Sequence, residues 1–421
     1  MRILIISKYA WDDKLASGNT LSNFFSNWPN ADFYMLYCRD SMPDNKCCTK
    51  YYSISPINIL KNIFTPLRIG KQFTFTGDGE NTTSARTEDT LKHASKRHKF
   101  VFELVHDMIY ASKLWLNKKL KRFVAESNPD IVFCFGVPDA FTYQMVKYVK
   151  KHLDCPIVAY YVDDHYINKS GGLNLLHRVG RKRLKEIAMM ADKRYAIAQM
   201  MCDEYSREMN LNFELLYKGC DVKDVKHQVN MPINIVYAGN LLYHRDRILA
   251  SIANALYELS KENKVNSHLD IYSGTPINDE IADSLTVNDV SVLHPVIPYE
   301  EIKEVMRQSD IVLHVESFDP EQIQTVRLSF STKITDCIQS GSMVLAVGPE
   351  NIASIEFLQG IPGVTVITNL NDVKPILLSL LRHPSTITDR ALVTNNYAKT
   401  NMTIDNVRKR IQEDFVELIN K

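Results

Sequence analysis

A cluster of four residues, Ser331, Thr332, Lys333 and Asp336, combines types that bind phosphate and sugar. It lies in the run Phe330-Ser331-Thr332-Lys333-Ile334-Thr335-Asp336-Cys337-Ile338-Gln339-Ser340-Gly341, ahead of Met343-Val344-Leu345-Ala346-Val347. The pattern reads as a polar turn, a short amphipathic helix, a glycine stop and a buried strand. A helix opening on Ser331 and Thr332 presents backbone N–H groups and the positive end of its dipole, which suits a phosphate. Lys333 adds a mobile cation at that mouth. Asp336, one turn further in, is placed to accept hydrogen bonds from a sugar diol. The combination predicts a site for a nucleotide diphosphate attached to a further group.

Two other constellations carry chemistry. Val236-Tyr237-Ala238-Gly239-Asn240-Leu241 is followed by His244-Arg245, and the planar guanidinium of Arg245 can hold phosphate oxygens bidentately. Arg247 stands nearby as a second cation. Tyr161-Val162-Asp163-Asp164-His165 ends an apolar run. Carboxylates there can orient a hydroxyl and take its proton, with His165 as a substitute base. Asp163 and Asp164, adjacent on an extended chain, point apart, so no metal site is expected.

The elements that must position these residues alternate. Strands are expected at 2–7, 32–38, 130–136, 156–162 and 193–198, with helices at about 100–126, 138–152 and 174–191. The Gly18-Asn19 turn opens a helix through Leu21, Phe24 and Phe25. After Met231-Pro232 the pattern restarts with a strand at 233–239. Helix 246–263, strands 268–273 and 291–293, helix 299–307, strand 310–315, helix 332–339 and strands 343–347 and 364–367 follow, and 386–419 reads as helical. This is the βα alternation of an α/β protein with two doubly wound, Rossmann-like domains facing a cleft. The expected division is 1–228, 229–385 and a C-terminal helical segment 386–421 that crosses back to the first domain. In such sheets ligands sit at the carboxyl ends of strands.

Composition narrows the class. The chain has 421 residues, 45% hydrophobic and 24% charged, with net charge +1. A large core is feasible, and near-neutral charge argues against nucleic acid as a partner. The eight cysteines form no CxxC pair and read as reduced thiols, which with no recognisable signal peptide predicts a cytoplasmic protein. Between Leu91 and Arg122 nine Lys and Arg face two acids, interleaved with apolar residues. That stretch is either a solvated helix face or a peripheral contact with an anionic membrane.

Taken together, these motifs resemble GT-B glycosyltransferases of the family 4 type, the glycosyl transferases group 1 kind of bacterial surface-polysaccharide synthesis. The resemblance runs in order through Gly18, Asp164, Gly239-Asn240, Arg245, Lys333, Asp336 and Gly341. It implies that Gly239, Asn240, Arg245, Ser331, Thr332 and Lys333 hold the donor diphosphate, and that Gly18 and Asn19 approach it. Asp336 would hold the ribose. Asp163, Asp164 and Glu316 would be the catalytic carboxylates. It also implies a metal-independent hexosyltransferase that needs no cofactor. The nucleotide sugar would be its donor and a glycan or lipid-linked molecule its acceptor, with retention of configuration.

Three positions depart from the family. Asp163 stands where relatives carry His. Ala250 replaces a Lys, leaving Lys333 or Arg327 to supply the second cation. Leu328 stands eight residues before Asp336, where a first glutamate is usual, and Glu316 at the preceding strand end is the substitute. These departures keep two rivals open: a nucleotide-sugar epimerase of the same fold, and a non-catalytic GT-B partner subunit. A dehydrogenase is disfavoured because no GxGxxG follows the first strand.

Overall fold

In this computed structural model the described residues are 1–62, 64–76, 104–105, 107–168, 175–226, 228–263 and 265–421. The first thirteen residues of the basic stretch 91–122, and residue 106, lie outside them. The chain divides into two compact units, Met1–Tyr217 with Arg408–Lys421, and Lys218–Val407.

The first unit holds an eight-stranded sheet in the order β4-β3-β2-β1-β5-β6-β7-β8. The strands are β1 (Arg2–Ser7), β2 (Asp32–Tyr37), β3 (Lys50–Ser53), β4 (Lys71–Thr74), β5 (Ile131–Phe135), β6 (Ile157–Tyr161), β7 (Lys193–Ala196) and β8 (Glu214–Leu215). All pairings are parallel except β3 with β4. The central strands are apolar at nearly every position because both faces are covered; Ile131–Phe135 and Ile157–Tyr161 are buried throughout. Phe25 anchors the core, with ring centroids 5.1 Å from Phe133, 5.2 Å from Trp28 and 6.1 Å from Phe415. Each such pair adds about 0.5–1.5 kcal/mol beyond its area burial. Phe415 and Asp414 explain why the C-terminal residues join this unit: the Asp414 carboxylate receives the Lys193 ammonium at 3.0 Å and the Tyr195 hydroxyl.

The second unit holds a six-stranded, wholly parallel sheet ordered β11-β10-β9-β12-β13-β14. Its strands are β9 (Ile233–Ala238), β10 (Ser267–Tyr272), β11 (Ser291–His294), β12 (Ile311–Val315), β13 (Met343–Val347) and β14 (Thr365–Ile367). Counted within the unit this is the doubly wound order 3-2-1-4-5-6. The helix Arg245–Asn263 buries Leu249, Ile252, Leu256 and Leu259 in the core beside Ile235, Leu269 and Ile311.

The two doubly wound sheets were legible in the sequence; several boundaries were not. The second unit begins at Lys218 rather than 229. Buried Asp310 draws the preceding segment in, accepting the N–H of Asn230 at 3.0 Å and of Asn234 at 2.8 Å and pairing with Lys226 at 2.8 Å. The expected helix 386–419 is two helices, Pro384–Asn401 and Ile404–Ile419, because the Thr403 hydroxyl accepts the Asn406 N–H at 3.2 Å and starts a new helix. Lys113, at φ +59°, breaks the expected helix 100–126, and Asn117 caps a shorter one, Lys118–Ser127. Strands β3 and β4 and the helices Pro56–Lys61, Gln199–Met209, Pro320–Val326, Ala353–Gln359 and Val373–Arg382 were not anticipated.

Candidate functional site

In the second sheet the strand order reverses between β9 and β12, which pair at Ile235–Ile311 and Tyr237–Leu313. Chains leaving their carboxyl ends part there, opening the crevice that such sheets use for ligands. The β9 end is Ala238-Gly239-Asn240. A Cβ on Gly239 would lie 2.4 Å from the Tyr237 hydroxyl, so this turn admits only glycine. The same hydroxyl donates to the Asn240 carbonyl at 2.6 Å, holding the turn closed. Tyr243 and His244 follow at φ +61° and +59°, at roughly 1–2 kcal/mol each for a left-handed residue. They turn the chain so that Arg245 opens its helix beside the β12 end.

Arg245 is held there from several sides. Its Nη2 donates to both Glu316 oxygens at 2.9 Å, its Nε to Glu316 Oε2 at 3.1 Å and its Nη1 to Asn240 Oδ1 at 2.6 Å. Both side chains are buried, Arg245 12% and Glu316 3% exposed. The Nε and Nη2 edge thereby faces Glu316, and Nη1 has a second hydrogen beyond the one it gives Asn240. A cation at a helix N-terminus is disfavoured by the dipole, and Glu316 offsets that too. Burial pushes the Glu316 carboxyl up, but the His314 imidazole, 3.4 Å away, and the Arg245 guanidinium bring it below the usual range. In this structure both oxygens of Glu316, expected as a catalytic carboxylate, hold Arg245.

Beside this pair a cavity of about 240 Å³ is lined by Gly239, Tyr272, Tyr299, Lys333 and Asp336. Asp336 Oδ1 accepts the Tyr299 hydroxyl at 2.7 Å and Gln339 Nε2 at 3.1 Å. Burial raises its carboxyl above the usual range, against the pull of Tyr299, Lys218, Lys333 and Lys303. Lys333 is shifted the other way: loss of water around its ammonium lowers it, Arg245 adds to that, and Asp336 opposes. Lys218 is likewise lowered by burial, with Asp336 opposing. An ammonium short of water favours an anion beside it.

The Ser331–Thr332 turn offers fewer amides than the sequence implies. The Ser331 hydroxyl accepts the Lys333 N–H at 3.4 Å and the Ser331 carbonyl accepts the Ile334 N–H at 3.0 Å. The Ser331 and Thr332 N–H groups have no acceptor among the described residues. The helix Lys333–Gln339 is only seven residues long and Thr332 makes no side-chain cap, so its dipole is a minor contributor beside Lys333.

Candidates in the first unit fare differently. Gly18 and Asn19 lie in the first turn of the helix Ala16–Phe25, not in a loop. A Cβ on Gly18 would fall 2.0 Å from the Asp12 carbonyl, so Gly18 serves close backbone packing. Asp164, expected as a catalytic carboxylate, is engaged within its own unit. Its carboxylate accepts the N–H groups of Tyr166, Ile167 and Asn168 at 2.8–3.0 Å and the Tyr205 hydroxyl at 2.9 Å. It ties down the loop after β6, mostly through Oδ1, while Oδ2 accepts only the Asn168 N–H. Asp163 and His165 are exposed beside it. Leu328, at the family's glutamate position, is buried. Among the described residues no group of three His, Cys, Asp or Glu could hold a metal ion.

Sequence reasoning missed Tyr299, Lys303 and Lys218, which surround Asp336. The available signal was Pro298-Tyr299 opening the amphipathic helix Tyr299–Gln308 directly after β11.

Solved structures settle the architecture. The chain matches TarM of S. aureus, crystallised with fondaparinux, alpha-GlcNAc-glycerol and UDP, at TM-score 0.51 and 11% identity, over 69% of this chain and 55% of TarM. It thus spans about half of TarM's length. It matches an alpha,alpha-trehalose-phosphate synthase (UDP-forming) from Burkholderia vietnamiensis at TM-score 0.60 and 10% identity, over 99% of this chain and 100% of that one. The UDP-GlcNAc 2-epimerase of Neisseria meningitidis, bound to UDP-GlcNAc, matches at TM-score 0.53 and 12% identity, over 99% and 100%. The fold is GT-B. No protein-family model matches the chain, and no curated protein matches it in sequence. In this GT-B chain the cavity lined by Gly239, Lys333 and Asp336 is formed by residues of the second unit.

Proposed function

We propose that the protein is a metal-independent, retaining glycosyltransferase of the hexosyl type. It would move a sugar from a nucleotide-diphosphate donor to a glycan or lipid-linked acceptor in surface-polysaccharide synthesis, working in the cytoplasm. The reading rests chiefly on one observation: the cavity at the carboxyl ends of β9 and β10 brings a glycine turn, Lys333 and the Tyr299–Asp336 pair together. Departure of a nucleotide diphosphate builds negative charge on its phosphates. Lys333, the remaining Nη1 hydrogen of Arg245 and the Ser331 and Thr332 amides would stabilise that charge as fixed donors do in an oxyanion hole. Losing one such donor costs about 2.7–4 kcal/mol in that setting. Asp336 would accept from a ribose hydroxyl. The first unit, with Asp163 and Asn19, is assigned to the acceptor.

A thermal-shift panel of UDP-, GDP- and ADP-sugars tests this. At least one should stabilise the protein, and Lys333→Ala and Asp336→Ala should each abolish the shift while leaving the unliganded melting temperature near that of the parent. The assignment fails if no nucleotide sugar stabilises the chain, or if both variants respond as the parent does. The likeness to the epimerase supports a second reading, in which the bound sugar is isomerised. Product formed from UDP-GlcNAc with no acceptor present would favour it over transfer.

A further inference from the structure

The first unit carries an apolar patch that its own packing leaves outside. On the helix Pro56–Lys61, Ile59 is buried while Ile57 and Leu60 are 46% and 53% exposed. Positions 57 and 60 share one helix face. Just beyond, Phe64 is 96% and Leu67 58% exposed. Loose chain is not the cause, since this backbone is braced. Gly70 N–H donates to Asn58 Oδ1 at 2.7 Å, and Asn117 Nδ2 donates to the carbonyls of Pro66 and Ile69, both at 2.8 Å. The Tyr110 hydroxyl donates to the Ile54 carbonyl at 2.6 Å. Asn117 thereby brings Leu114, 39% exposed, to the same region.

The charge around this patch is mainly positive, with Asp40 in the cavity beside Asn58 and Lys71. Residues 54–76 contain Lys61, Arg68 and Lys71 and no Asp or Glu, and residues 108–125 contain Lys113, Lys118 and Lys119 among their cations and again no acid. These six side chains are exposed, and none pairs with a carboxylate among the described residues. Exposed apolar anchors ringed by lysines are the signature of a surface that lies on an anionic bilayer. Protein interfaces are depleted in lysine, and two copies of so basic a patch would repel each other. No helix among the described residues is long and apolar enough to cross a membrane, so the contact is peripheral.

We infer that Ile57, Leu60, Phe64 and Leu67 insert into the headgroup region of an anionic membrane, with Lys61, Arg68 and Lys71 on its phosphates. This places a membrane contact outside the stretch 91–103, and it stands whether or not the donor site is as proposed.

Co-sedimentation of the full chain with vesicles tests the inference. The parent should pellet with phosphatidylglycerol-containing vesicles at about 0.1 M salt and far less with pure phosphatidylcholine. Leu60→Ser with Phe64→Ser should lower the partition coefficient about tenfold or more. Lys61→Ala with Arg68→Ala should do likewise and flatten its salt dependence. Val393→Ser, an exposed apolar residue of the second unit, should leave binding unchanged. A Leu67→Trp variant should show a blue shift of its emission on phosphatidylglycerol vesicles, which reads insertion directly. The inference is overturned if the parent stays in the supernatant, if the Leu60/Phe64 variant binds like the parent, or if Val393→Ser weakens binding equally. It is also overturned if the parent is a dimer that the Leu60/Phe64 variant dissociates, because the patch then faces a second copy.

Discussion

Removing the Glu316 carboxylate should cost the second unit much of its stability. The pair it forms with Arg245 is buried on both sides, at 12% and 3% exposure, with three N–O contacts between 2.9 and 3.1 Å. In Glu316→Ala the guanidinium stays buried, at a helix N-terminus, with only Asn240 as its acceptor. An uncompensated buried charge of this kind costs about 3–5 kcal/mol. Glu316→Gln retains one acceptor oxygen and should cost less, about 1.5–3 kcal/mol, the value of a hydrogen bond to a charged group. For a unit of this size each kcal/mol lowers the melting temperature by about 2–4 °C, so Glu316→Ala should melt roughly 6–20 °C lower. Urea unfolding followed by far-UV circular dichroism reads the loss. The tryptophans, Trp11, Trp28 and Trp115, all lie in the first unit, so their fluorescence serves as a control that should move less. Because the folded carboxyl sits below its unfolded value, its contribution is fully present above the unfolded pKa of about 4.3 and is lost as pH falls through the lower folded value. The acid limb of the stability curve should accordingly be shallower in Glu316→Gln than in the parent. Replacing both partners, Arg245→Met with Glu316→Leu, should recover most of the loss. The reasoning is refuted if Glu316→Ala lies within about 0.5 kcal/mol of the parent.

Two further outcomes follow from the first unit. Gly18→Ala should destabilise it by at least about 1–3 kcal/mol, the cost of overpacking, because the new methyl would sit 2.0 Å from the Asp12 carbonyl; tryptophan fluorescence in urea measures it. Asp164→Asn should raise hydrogen exchange at the amides of Tyr166, Ile167 and Asn168, which lose a charged acceptor; unchanged protection there would contradict an anchoring role.

The sheets were readable because their strands are continuous apolar runs separated by helical periods. Ile311–Val315 and Met343–Val347 announce themselves in this way. The short strands β3 and β4 did not, since each has only four residues and Lys50–Ser53 mixes aromatic with polar positions. The places of Gly239, Arg245, Lys333 and Asp336 in the second sheet were legible because each sits within a few residues of a strand end or helix start. What the local sequence could not convey was occupancy. Nothing near Glu316 announces that Arg245, 71 residues earlier, takes both its oxygens. Nothing near Asp164 announces that Tyr205, 41 residues later, donates its hydroxyl to Oδ1. A carboxylate at a strand end is equally suited to taking a proton and to holding a neighbour, and only the fold decides which.

That distinction also redistributes the charge of the candidate donor site. Sequence reasoning put the cationic surplus on Arg245 and Lys333 equally. In the folded chain Arg245 and Glu316 form a neutral pair, and Lys303 is matched by Glu300 at 2.6 Å. Lys218 and Lys333 both lie by Asp336, and loss of water lowers both ammoniums. Lys333 lines the cavity, whereas Arg245 is committed to Glu316. An anion entering there would meet the Lys333 ammonium and leave the buried Arg245–Glu316 pair intact. Arg245 then contributes geometry and its one remaining hydrogen, and Lys333 contributes most of the attraction. This is why Lys333→Ala is the more discriminating test of phosphate binding: it removes the charge without unmaking a buried ion pair on which the unit's stability depends.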